Sequence, residues 1–98
     1  MLPETAWDVA AWYGQSLDNK PYIAVNENNQ VIITDPEGYR AIVFSDSGEF
    51  QYFWGDFGEG LDTFSMPAGV AVSEDAGVWI SDAGNDRLMH FKIPASTE

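Results

Sequence analysis

The feature that most constrains this chain is a repeat inside it. The segment from Tyr22 to Ser45, YIAVNENNQVIITDPEGYRAIVFS, aligns without a gap on the segment from Gly69 to Lys92, GVAVSEDAGVWISDAGNDRLMHFK. Val25 meets Val72, Val31 meets Val78, Asp35 meets Asp82, Arg40 meets Arg87 and Phe44 meets Phe91, every pair 47 positions apart. Pro21 and Pro67 are 46 apart, so one residue is gained ahead of the aligned stretch. A shorter likeness links Trp12-Tyr13-Gly14 to Phe53-Trp54-Gly55. A repeat of roughly 40–50 residues holds four short strands, the period of a propeller blade. A chain of 98 residues holds two such units and is expected to form one domain.

The residues within each unit favour strands. Tyr22 to Val25 and Val31 to Thr34 flank Asn26-Glu27-Asn28-Asn29, and Arg40 to Phe44 and Phe50 to Trp54 flank Ser45-Asp46-Ser47-Gly48. In the second unit Val70 to Val72 and Val78 to Ser81 flank Glu74-Asp75-Ala76-Gly77, and Arg87 to Lys92 closes the series. β-Branched and aromatic runs between turn residues predict hairpins and an all-β fold. The run from Ala6 to Trp12 reads either as a helical turn or as a strand, and its place in the repeat favours a strand. The predicted organisation is therefore an outer strand within residues 1–14, a full four-stranded unit over 21–55 and three strands of a second over 67–93.

Charge and composition exclude several partners. Four Lys/Arg stand against sixteen Asp/Glu, a formal net charge of −12, which repels nucleic acid and anionic membranes. No apolar run reaches the roughly 18 residues of a membrane-spanning helix, and the first residues show no basic stretch followed by an apolar signal core. The compartment is left open. Without cysteine there is no disulfide framework and no thiolate metal site. Hydrophobic residues at 45% and aromatic residues at 14% argue against disorder despite the charge.

The second unit resembles an NHL repeat. Phe64, Pro67, Gly69-Val70-Ala71-Val72, Asp82, Asn85, Arg87 and Phe91 match that family's pattern residue by residue. The first unit keeps Pro21, Ala24-Val25, Asp35, Arg40 and Phe44, with Tyr22 in place of the glycine and Gly38 in place of the asparagine. The resemblance runs over roughly residues 5 to 93 and implies four-stranded β-propeller blades, commonly six to a ring. In such a blade Asp35 and Asp82 can accept from the backbone of the following turn, and Arg40 and Arg87 can pair with those aspartates or with an acid on the adjacent blade. Glu37-Gly38 and Gly84-Asn85 are then the residues that admit positive φ. RNA-binding members of the family present a basic surface, which this chain lacks.

Little in the sequence suggests catalysis. His90 is the sole histidine, and its repeat partner Val43 predicts that it is packed against a neighbouring sheet. Seven serines are present, yet none sits in a nucleophile elbow. Some NHL-like lyases gather several histidines around a metal, a set that one histidine cannot supply. The acids Glu74-Asp75, Asp56/Glu59/Asp62 and Asp82/Asp86 lack calcium-loop spacing. The glycines of Trp54-Gly55-Asp56-Phe57-Gly58-Glu59-Gly60 have no lysine after them and suit a crossover better than a phosphate loop. No metal and no cofactor is expected.

These readings converge on a non-enzymatic binding or scaffold module. Trp7, Val9 and Trp12 are expected to form the outer strand that completes the last blade of a neighbouring copy. Three copies of a two-blade chain close a six-bladed homotrimer, with four copies and eight blades as the competitor. A protein or small-molecule ligand would meet such a ring at its central channel. The alternatives are a piece of a larger propeller protein, either a sensor or an enzyme-associated propeller, and a lyase or hydrolase acting at the channel.

Overall fold

The chain folds into two antiparallel sheets and is all-β. The structure, a computed structural model, describes residues 2–12, 14, 18, 20–58 and 63–94. Tyr13, Glu59, Gly60 and Asp62, singled out above, lie outside them. Strands β1 (Ile23–Val25), β2 (Gln30–Asp35), β3 (Arg40–Ser45) and β4 (Phe50–Trp54) form the first sheet in that order. Strands β5 (Pro67–Ser73), β6 (Gly77–Asp82) and β7 (Arg87–Lys92) form the second, also in chain order.

The 47-residue offset is written into the backbone. β6 and β7 begin and end 47 positions after β2 and β3. Asp35 pairs with Arg40 and Val31 with Phe44, as Asp82 pairs with Arg87 and Val78 with Phe91. A short 3-10 turn links each pair of strands, Pro36–Gly38 in one sheet and Ala83–Asn85 in the other. The left-handed residues that end these turns are Tyr39 (φ 58°) and Asp86 (φ 52°), not the glycines expected for that task.

Gly38 answers to a different demand. A Cβ placed on it would fall on the Asp35 carboxylate, which accepts the Gly38 N–H at 3.1 Å. The glycine is needed for close approach, whereas the left-handed φ has moved one residue on. Gly55, at the end of β4, combines both demands. Its φ is 115°, and a side chain there would meet the ring of Phe64 and the carbonyl of Tyr39. That backbone turns the chain out of the first sheet over the fully buried Phe64.

Side-chain alternation then decides where the core lies. One face of the first sheet presents Ile32, Ala41 and Val43, all 0% exposed, to the second sheet. The second sheet answers with Val78 and Ile80, flanked by half-buried Val70, Val72, Met89 and Phe91. Phe64 and Ile93 complete this cluster, and Tyr52 and Trp54 pack at its outer side. Each large aliphatic side chain buried here contributes about 1.5–3 kcal/mol of transfer free energy.

The opposite face of the first sheet is covered by the N-terminal segment. Val9 joins Val31, Ile33 and Ile42 in a second buried cluster, with Trp7, Ala11, Trp12 and Phe44 around it. Coverage on both faces is why every residue of β2 is buried and why its centre, Val31 to Ile33, reads as an apolar run without alternation. The segment from Trp7 onward, expected to pair with a neighbouring copy, forms no strand within the single chain. Residues 5–9 follow no regular structure, and Ala10–Trp12 make a 3-10 turn. Trp12 reaches across to donate its indole N–H to the carbonyl of Thr34 at 3.0 Å. The physical reason is the bare face beside it: three apolar side chains gain more contact lying on that face than extended along an edge.

Candidate functional site

The repeated acids and arginines come together as structural clamps. Asp35 sits buried at the end of β2 and takes the Arg40 Nε at 2.9 Å as well as the Gly38 N–H. Asp82, fully buried, is held differently. Its carboxylate accepts from the backbone N–H groups of Ser65 and Met66 at 2.8–3.2 Å and from the Asn85 side chain at 2.8 Å. No backbone N–H of its own turn caps it. Asn85 stands where the first repeat has Gly38, and its amide also donates to the Gly58 carbonyl at 2.8 Å. Arg87 lies 3.5 Å from Asp82 and donates to the Thr63 carbonyl at 3.0 Å. Each buried carboxylate thus fastens its own turn or the incoming loop.

The remaining motif residues also serve the frame. Pro67 opens β5 fully buried, and half-buried Pro21 precedes β1. Gly69 donates its N–H to Ser81 Oγ at 2.8 Å, and a Cβ there would crowd that oxygen at 3.0 Å. Phe91 packs on Trp54 with ring centroids 5.2 Å apart, and Phe44 packs on Trp7 at 5.1 Å. Phe44 and Phe91 are repeat partners, so Trp7 over the first sheet takes a place like that of Trp54 over the second. Trp7 and Trp12 line one side of an apolar groove, with Val9 between them.

Within the single chain His90 is exposed where its repeat partner Val43 is buried. Val43 is buried between the sheets, whereas His90 stands exposed on the outer face of the second, beside Trp79 at 4.6 Å and with Nε2 3.4 Å from Ser73 Oγ. The difference lies in the surroundings: the sheet that covers Val43 has no counterpart over His90. Among the described residues, no group of three or more His, Asp or Glu side chains is placed to hold a metal ion, and no helix is long and apolar enough to cross a membrane.

Two apolar faces dominate the surface. On the outer face of the second sheet Trp79 is 45% and Leu88 71% exposed, with Ala71 and His90 beside them. On the outer face of the first sheet Ile23, Val25, Phe50 and Phe53 are each at least half exposed, on either side of the N-terminal segment. Large exposed apolar residues grouped in this way mark surfaces that meet another molecule. A groove of about 270 Å³ lies between that segment and β1–β2, lined by Trp7, Val9, Trp12, Ile23, Val31 and Ile33, with Asp46 at the rim. A second cleft of about 380 Å³ opens beside the 3-10 turns, where Asp18 and Lys20 face Tyr22, Met66 and Ala68. Among the described residues β7 is the last strand of its sheet, with no strand paired beyond it.

Sequence reasoning singled out the identical pairs and overlooked two unlike ones. Ile32 aligns with Trp79 and Ala41 with Leu88, and in each pair the first is buried between the sheets and the second exposed on an outer face. The same offset, read together with strand alternation, finds them. No protein-family model matches the chain, and no curated protein matches it.

Proposed function

We propose that the chain is a two-blade unit of an NHL-like β-propeller, acting as a non-enzymatic scaffold or binding module assembled from copies of itself. Three copies giving six blades form the favoured ring. The observation that carries this reading is the repeat-related packing between the sheets. The face of Ile32, Ala41 and Val43 is buried on the face of Val78 and Ile80. Their repeat partners Trp79, Leu88 and His90, and Val31 and Ile33, line the two outer faces. A further sheet over Trp79, Leu88 and His90 would extend the same packing, while one on the first sheet would meet Ile23 and the N-terminal segment that covers Val31 and Ile33. A strand beside β7 would complete the second sheet as β4 completes the first. The clefts of an assembled ring would take its ligand.

Light scattering coupled to size exclusion tests the assembly. The expected mass is three times the 10.8 kDa of the chain, at micromolar concentration and with one cooperative melt. A species of 10.8 kDa that melts cooperatively overturns the reading.

A further inference from the structure

The outer faces differ from each other, and the contact buried between the two sheets serves as a template for how they meet. In that contact Ile32 of the first sheet is fully buried in the same cluster as Val70, Val78 and Ile80. Moved by one repeat, Ile32 becomes Trp79, while Val70, Val78 and Ile80 become Ile23, Val31 and Ile33. Ile23 is exposed at the wall of the groove beside the N-terminal segment, and Val31 and Ile33, buried under that segment, form its floor. We infer that Trp79 of one copy seats in this groove of the next copy, docking the outer face of its second sheet on the outer face of the neighbour's first. This rests on the propeller reading and names the contact through which the copies join.

Three observations favour a second copy as the occupant. The groove is already dressed for a sheet, because Trp7 covers Phe44 as Trp54 covers Phe91. Its volume of about 270 Å³ falls below the ~300 Å³ lower end of small-molecule clefts and suits one large side chain. The charges also match: Lys92 alternates onto the same face as Leu88 and His90, and Asp46 stands at the groove's rim. Arg40 and Arg87 are held by aspartates and Lys20 lines the cleft beside the 3-10 turns, so among the described residues Lys92 is the strong cation on the docking face. Trp is also among the side chains that most often anchor a protein interface. Because unlike faces meet, the contact is head-to-tail and leaves one face of each kind free at the two ends, as ring closure requires.

The test uses Trp79→Glu and Ile23→Glu, each disabling one face. Both residues are about half exposed, and neither belongs to a buried cluster. Far-UV circular dichroism checks folding, and Trp79→Ser with Ile23→Ser replaces any variant that lacks the parent's spectrum. The expected result is an oligomeric parent, two monomeric variants, and a 1:1 mixture that forms a complex of two chains. Each variant in that mixture still has the face the other has lost. Variants that remain oligomeric, or a mixture that remains monomeric, overturn this contact and leave the self-assembly reading standing. A monomeric parent overturns both.

Discussion

At the scale of single residues, this chain holds its turns with buried carboxylates, and Gly38 is the position where that leaves no tolerance. A methyl group there would displace the Asp35 carboxylate, losing the Gly38 N–H bond and the 2.9 Å contact with Arg40 together. Gly38→Ala is expected to destabilise the fold by about 2 kcal/mol or more, read as a lowered urea midpoint. Tyr52 gives a second residue-level expectation. Burial raises its phenol pKa above the ordinary value, the nearby Gln30 amide offsets part of that, and the hydroxyl donates to the Pro94 carbonyl at 2.7 Å. The folded state therefore holds the proton more tightly than the unfolded chain. The associated stability is complete below the ordinary tyrosine value of about 10 and is lost as pH rises through it toward the raised folded value. Tyr52→Phe is expected to lower stability by about 0.5–1.5 kcal/mol at pH 8. The gap from the parent should narrow between pH 9 and 11, and a constant gap across melts in that range would contradict the assignment.

At the scale of elements, the N-terminal segment stabilises the first sheet as a cover, not as a strand. Trp12 contributes partly buried apolar area and an indole hydrogen bond to Thr34. Trp12→Ala is expected to cost about 2–3 kcal/mol, below the full range for a buried tryptophan because the side chain is only half buried. Trp12→Phe keeps most of the area and removes the indole donor, so its cost should stay near 1 kcal/mol. Denaturant melts of the two variants separate the terms. Equal losses would mean that the hydrogen bond, not the covering, holds the segment in place.

For the whole molecule, the governing quantity is a formal charge of −12 on a body with a radius of gyration of 13.2 Å. At about 0.01 M salt the Debye length is ~30 Å, longer than the molecule's radius, so like charges repel across all of it. At about 0.15 M salt it falls to ~8 Å and most of that repulsion is screened. The melting temperature is therefore expected to rise between these two conditions. A fall would identify ion pairs as the dominant charge term. Assembly would concentrate the same charge, so the rise should be steeper for an oligomer than for a monomer.

The sequence by itself determined the strand plan. The all-β class, the 47-residue offset and six of the seven strands to within about two residues were readable, while the structure chose Asp35 and Asp82, over an acid on another sheet, as the partners of Arg40 and Arg87. Local rules govern the strands: β-branched runs and turn residues. The longer β5, which begins at Pro67, departs from this because its first residues pair across an irregular register. Only tertiary structure decided the rest. Whether Trp7 to Trp12 extends or folds back depends on which apolar face lies bare beside it. Whether His90 is buried depends on whether a sheet covers it, which its alignment with Val43 took for granted. The left-handed residue of each turn settled on Tyr39 and Asp86, because Gly38 and Asn85 were already held by contacts to Asp35 and Asp82. Local sequence specifies what a residue prefers, and the burial that overrides the preference is set by segments distant along the chain.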